Sequence, residues 1–271
     1  MTRATTAAIA QVEDLQVAYD ATDGSGRPVV FLHGLAEGRA TWAHQIAIAT
    51  SRPCFAYDLR GHGETSIGEA NGTLEQLGRD LLAFLRLVSG PATVVGFSLG
   101  GTIALWAAAH DDDSLILDVV AIGTSSVVGR QAAEFYTQRI AIAAYTASEP
   151  FRDAISQDTL AGLHVEHARL SDVTAARLSA IGDGHGYINA ARAMRALNET
   201  PLTPELARVR VPVHVVGGSD DAFCPMKASQ IILDALPEAD YVEVPNAGHL
   251  MNIDNPQGVA AVLTTTLRRD N

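Results

Sequence analysis

Thr93-Val94-Val95-Gly96-Phe97-Ser98-Leu99-Gly100-Gly101, continuing into the apolar run Thr102 to Ala109, is the segment that decides the fold. A short β-rich run enters a Gly-x-Ser-x-Gly turn and leaves in an alanine-rich helical pattern. The serine is therefore expected on a tight strand-to-helix corner with its Oγ exposed. Gly96 and Gly100 suit that corner because side chains there would collide with the neighbouring strand and helix. The helix after the turn directs its free N–H groups and positive dipole end at the same point, where an anion is stabilised. This is a nucleophile site by geometry, and the rest of the chain must supply a base, an acid and a second oxyanion donor.

Working outward, short β-branched or apolar runs alternate with helical patterns. Val12 to Asp20 reads as one or two short strands, ended by the turn cluster Thr22-Asp23-Gly24-Ser25-Gly26. Pro28 to Leu32 and Pro53 to Tyr57 read as strands buried on both faces, with a helical pattern from Thr41 to Ala49 between them. Thr73 is an expected N-cap, with Gln76 three residues on and Leu77, Leu81, Leu82 and Leu85 at helical spacing. Beyond the serine turn, Leu115 to Ile122 is a further strand. Four helical stretches follow with no strand between them: Gln131 to Ala147, Pro150 to Leu163, Val173 to Ile181 and Tyr187 to Leu197. The alternation resumes with Val211 to Val216, the helix Pro225 to Leu236, the strand Tyr241 to Val244 and the helix Gln257 to Arg268.

Such alternation specifies an α/β fold, a mostly parallel sheet covered on both faces, with its ligand site at the carboxyl ends of the strands. The uninterrupted helices read as an inserted cap. The expected organisation is a first core part over 1–124, a helical cap over 125–200 and a second core part over 201–271. At the strand ends stand His33-Gly34-Leu35, Asp58 onward, Ser98, Ser125-Ser126, Asp220-Asp221 and Asn246-Ala247-Gly248-His249. Asp221 and His249 lie 28 residues apart with one helix and one strand between them. That is one parallel crossover, so they are expected to end adjacent strands.

Taken together these residues resemble the α/β-hydrolase family, its serine esterase and enol-lactonase branch in particular. The order Ser98, Asp221, His249 is similar to the family's triad order. Gly218-Ser219-Asp220-Asp221-Ala222-Phe223-Cys224-Pro225 resembles its Gly-x-x-Asp-x-x-x-Pro loop, which favours Asp221 over Asp220 as the acid. Ala247-Gly248-His249, with Pro256 seven residues later, resembles its last loop. His33-Gly34 resembles its oxyanion signature, and Asp58-x-Arg60-Gly61-His62-Gly63-x-x-Ser66 the loop after the next strand.

The resemblance implies that Ser98 attacks while His249 accepts its proton, and that Asp221 fixes the imidazole tautomer. The backbone N–H groups of Leu35 and Leu99 would then hold the oxyanion. His33, Arg60 and His62 are expected to shape loops. Gly186-Tyr187-Ile188-Asn189-Ala190-Ala191-Arg192 is similar to a segment of enol-lactonases and their esterase relatives, which makes Tyr187 and Arg192 candidate substrate contacts.

A small carboxylic ester or lactone is the expected substrate, with no metal or organic cofactor. A carbon–carbon bond hydrolase or a cofactor-free perhydrolase are alternatives on the same triad, although Phe97 replaces the asparagine typical of the former. A ligand-binding receptor with slow or no turnover is an alternative of another class.

Composition narrows the field further. The 271 residues, 47% of them apolar, suffice for one sizeable core. The net charge of −12 repels nucleic acid and anionic membrane surfaces. Cys54 and Cys224 are too few for a disulfide framework and match no metal motif. Met1 to Ala10 lacks the apolar stretch of a secretory leader, and no run approaches the ~18 residues that cross a bilayer. A cytoplasmic location without membrane association is expected.

Overall fold

The structure, a computed structural model, describes residues 4–48 and 51–268. Its centre is an eight-stranded sheet: β1 (Thr6–Val12), β2 (Leu15–Thr22), β3 (Val29–Leu32), β4 (Cys54–Tyr57), β5 (Ala92–Phe97), β6 (Ile116–Ile122), β7 (Val213–Gly218) and β8 (Asp240–Val244). Their spatial order is β1-β2-β4-β3-β5-β6-β7-β8. β1 pairs antiparallel with β2, and β2 with β4; every later pair is parallel. The first strands differ from the sequence reading. The run from Val12 is the turn of a hairpin whose outer strand begins at Thr6, with Glu13 at φ 51° in the reversal. The Thr/Ala-rich amino end has little apolar periodicity, so only edge pairing reveals it as a strand.

The central strands are apolar on both faces because helices cover both. α1 (Ala43–Ile48) and α10 (Pro256–Thr266) lie together, and α2 (Leu74–Phe84) packs against α3 (Leu99–Ala109). Ala49, the expected end of the first helix, lies outside the described residues, as do Met1 to Arg3. Thr73 caps α2 as expected, its hydroxyl accepting the Gln76 N–H. α3 is buried along its whole length, consistent with its lack of a polar face.

Between β6 and β7 the chain makes α4 (Arg130–Ala143), α5 (Glu149–Gly162), α6 (Leu170–Ile181) and α7 (His185–Ala196). Phe151, Ile155, Ile181, Tyr187 and Ala191 form the centre of this helical block, and Ala36 from the loop after β3 is buried among them. The block is therefore seated on the rim at the strands' carboxyl ends. Backbone bonds fasten it there: Gly63 N donates to Ala180 O and Leu250 N to Gly162 O, both at 2.8 Å. α8 (Met226–Ala235) follows β7, and α9 (Met251–Asp254) the loop after β8. Among the described residues no helix is long and apolar enough to cross a membrane.

Candidate active site

β5 delivers Ser98 to the rim, and the chain reverses there within one residue. Ser98 takes φ 52° and ψ −115°, a sparsely populated conformation that costs on the order of 1–3 kcal/mol for a residue with a side chain. The surrounding bonds enforce it. Ser98 N donates to Ile122 O at 2.8 Å, and Ser98 O accepts from Gly101 N at 3.0 Å and Thr102 N at 3.1 Å. A Cβ on Gly100 would lie 2.5 Å from Leu32 O and 2.7 Å from His33 O, and one on Gly96 would strike the Gly100 carbonyl. Only glycines permit the helix to start this close to the sheet.

His249 Nε2 lies 3.0 Å from Ser98 Oγ, and its Nδ1 lies 3.0 and 2.9 Å from the two oxygens of Asp221. The carboxylate can only accept, so Nδ1 carries the proton and the Nε2 lone pair faces the serine hydroxyl. Asp221 also accepts the N–H groups of Phe223 at 2.9 Å and Cys224 at 2.8 Å. Burial pushes its carboxyl upward. The charge and hydrogen bond of His249 and those two N–H groups outweigh burial and leave it below the usual carboxylate value. Asp220, the competing acid, projects outward, receives the Ser219 hydroxyl at 2.6 Å and lies 3.5 Å from His164. Asp221 and His249 end adjacent strands, β7 and β8, as their spacing requires.

The loop after β3 comes up beside the serine: a Cβ on Gly34 would sit 3.3 Å from Ser98 Cβ. Gly34 to Glu37 forms a turn, closed by Glu37 N donating to Gly34 O at 3.3 Å, with Ala36 at φ 64° in its third position. The second residue of such a turn has its N–H unused, and that residue is Leu35. Leu99, first residue of α3, has the same freedom for the helical reason. His33 Nδ1–H donates to Gly34 O at 2.8 Å while its Nε2 accepts Leu59 N–H at 2.9 Å. Burial holds His33 down to about 4 and keeps the ring neutral, as this pair of bonds demands. Arg60 shapes its loop by ion pairs to Asp14 and Asp80, and His62 is a fully buried neighbour of His33.

The two candidate substrate contacts of the helical block, Tyr187 and Arg192, lie on different faces of α7. α7 turns Tyr187, Ala190, Ala191 and Met194 inward. Tyr187 is thereby sealed in the block's own core, edge-on to Phe151 at 5.7 Å. Arg192 falls on the opposite face, exposed, with its stem against Gly72. Of two other aromatic side chains, Phe223 stands beside the His249 ring and Phe135 beside Phe223. Phe223, on the acid loop, lies 5.2 Å from the His249 ring and 6.2 Å from Phe135 of α4. It is 40% exposed, unusual for a phenylalanine held in place by packing. The adjacent cation, Arg139, lies over Phe135 and is clamped by Asp158.

A cavity of about 770 Å³ opens beside the loop after β3, between α1 and α6, with Glu37, Thr41, Arg177 and Asn252 in its wall. Ser98 and His249 do not line it. Glu37 links the two regions, receiving Gly34 N–H at 3.5 Å, and its burial outweighs the Arg177 charge to raise its pKa. Among the described residues no three His, Cys, Asp or Glu side chains are grouped to hold a metal ion.

Sheet order, serine corner and rim loops together define an α/β hydrolase. The alpha/beta hydrolase fold model matches residues 27–256, and the chain belongs to that family. It is 26% identical over 262 residues to 3-oxoadipate enol-lactonase 2 of Acinetobacter baylyi, covering 96% of each chain. It is 29% identical over 264 residues to the pimeloyl-[acyl-carrier protein] methyl ester esterase of Chromobacterium violaceum, covering 91% of this chain and 96% of that one. The crystal structure of the enol-lactonase from Burkholderia xenovorans shares the fold at a TM-score of 0.84 and 23% identity, covering 96% of this chain and all of that one.

Proposed function

We propose that the protein is a serine hydrolase of small carboxylic esters or lactones, working through an acyl-enzyme. The observation that carries this reading is the unbroken hydrogen-bond chain Ser98–His249–Asp221. Ser98 Oγ attacks the carbonyl carbon as its proton passes to His249 Nε2, and Asp221 stabilises the imidazolium. The carbonyl oxygen becomes an oxyanion between the N–H groups of Leu35 and Leu99; losing one such donor elsewhere costs roughly 3–4 kcal/mol. The tetrahedral centre collapses, the C–O bond breaks, and His249 returns the proton to the leaving oxygen. Water then repeats the sequence on the acyl-enzyme and regenerates Ser98.

Segment 125–200 acts as a cap in this reading, excluding water and setting which acyl groups enter. Phe135 and Phe223 offer an apolar wall beside His249, and Arg139 is already committed to Asp158. Uncharged, apolar substituents on the substrate fit that wall best. The kinship with a lactonase and a methyl ester esterase supports ester chemistry.

The test is a panel of p-nitrophenyl esters and lactones, with fluorophosphonate labelling and Ser98→Ala. Hydrolysis and labelling at Ser98, both lost in a folded Ser98→Ala protein, are the expected result. Turnover that survives the substitution overturns the assignment. A labelled protein that turns over nothing in the panel points instead to a ligand-binding receptor.

A further inference from the structure

Asp254 lies outside the three residues of the proposed chemistry, yet it collects more backbone donors than any of them. Its Oδ2 accepts Gly248 N–H at 2.9 Å and His164 N–H at 2.8 Å. Its Oδ1 accepts Val165 N–H and Glu166 N–H, each at 3.0 Å. Four N–H groups on one carboxylate use nearly all of its acceptor sites. Burial, which works against the charge, is outweighed by these bonds, and the group stays below the usual carboxylate value.

The donors come from two places far apart in the sequence. Gly248 immediately precedes His249. His164, Val165 and Glu166 belong to the connection between α5 and α6, about ninety positions earlier. The residue on the other side of His249 is held by the same stretch, Leu250 N donating to Gly162 O at 2.8 Å. The residues on either side of His249 are thus both fastened to the helical block, Gly248 through Asp254 and Leu250 directly. Close contact permits no slack: a Cβ on Gly248 would lie 2.6 Å from Gly162 O.

We propose that Asp254 is a positioning residue for His249, holding the loop that carries the imidazole against the 162–166 segment so that Nε2 stays on Ser98 while Nδ1 stays on Asp221. Seating of the cap and aim of the base are then one structural event. The inference rests on the proposed serine chemistry for its kinetic consequence but not for its geometry. With Asp254 neutral, the loop keeps its strands and loses its clamp, because an amide presents an N–H₂ group to two of the four donors. The imidazole then swings on its loop. Catalysis falls through kcat, since the ester's contacts with Phe135 and Phe223 are untouched.

The experiment compares wild type, Asp254→Asn and Asp254→Glu by three measurements. These are circular dichroism to establish folding, the rate of fluorophosphonate labelling, and the low-field proton resonance of His249 Nδ1–H in the pair with Asp221. Asp254→Asn is expected to label 10- to 100-fold more slowly, to lower kcat more than it raises KM, and to broaden or lose that resonance. Asp254→Glu, which retains the charge, should recover part of the rate.

A folded Asp254→Asn protein with wild-type labelling and resonance overturns the proposal. So does a loss of rate that vanishes on cooling well below the melting temperature with the resonance unaltered. If Asp254→Asn does not fold, Asp254→Glu carries the same measurements, and an unperturbed resonance and labelling rate there are again fatal. If wild type itself is not labelled, the serine reading fails, and the resonance alone still decides the role of Asp254.

Discussion

His33 and Leu59 are joined by a hydrogen bond in which the backbone N–H of Leu59 is donated to His33 Nε2 at 2.9 Å. That bond fixes the tautomer, so the ring's other nitrogen must donate to Gly34 O. In a trans peptide the carbonyl and the next N–H point opposite ways. Holding the Gly34 carbonyl back on His33 therefore turns Leu35 N–H the other way, as the proposed oxyanion role requires. His33→Ala should lower kcat roughly 10- to 100-fold with a smaller effect on KM, since the donor is misaimed and the change is felt in the transition state. Steady-state kinetics on p-nitrophenyl acetate checks it.

The buried histidines make a prediction about acid. Burial holds His33 down to about 4 and His62, with help from His33, to about 3. Their unfolded counterparts protonate near 6.5. Below that pH the unfolded chain binds protons that the native one does not, so native stability is fully present above it. Stability is lost as pH falls, at about 1.4 kcal/mol per pH unit for each ring, until the folded value is reached. Denaturant unfolding at pH 7, 6, 5 and 4.5 should show that slope, and His62→Phe should flatten it.

Gly100→Ala tests the corner itself. The new methyl would meet two carbonyl oxygens of the β3 end at 2.5 and 2.7 Å, and rigid backbone on both sides prevents relief. A loss on the order of 3 kcal/mol or more is expected, at the upper end of single substitutions. Thermal melting is the measurement, and a shift of under 2 °C would contradict the geometry.

Substrate preference should follow the aromatic wall and ignore the exposed arginine. Phe223→Ala is expected to cut kcat/KM for a phenylacetate ester relative to an acetate ester by about 10-fold or more, the worth of one large apolar contact. Arg192→Ala should leave that ratio, and the ratio between neutral and carboxylate-bearing esters, unchanged. Competition between paired esters with each variant reads both effects.

How far these features could be read in advance differs by residue. Ser98, Asp221 and His249 were legible because each sits in a loop whose glycines and flanking strands encode the backbone path locally. Parallel crossovers then leave little freedom over which loops meet. The motif favours Asp221 over Asp220 as the candidate acid, and Asp221 is the carboxylate that lies against His249 Nδ1.

Tyr187 and Arg192 are singled out by the similarity of their segment to that of relatives, a weaker signal. The similarity of a segment does not record which way each side chain turns, and the inward face of α7 is the one packed on α4 and the loop after β3.

The strand–helix alternation, the serine corner, the adjacency of the loops that carry Asp221 and His249 and the presence of an inserted helical block were determined by the sequence alone. They rest on short-range rules: apolar period, glycine where backbones crowd, and the length of a crossover. The pairing of Phe135 with Phe223, the inward turn of Tyr187 and the clamp of Asp254 on residues 164–166 were decided only by tertiary structure. Each brings together groups separated by tens of residues, and no local pattern records which distant donor or ring will fill a given space once the helices are packed.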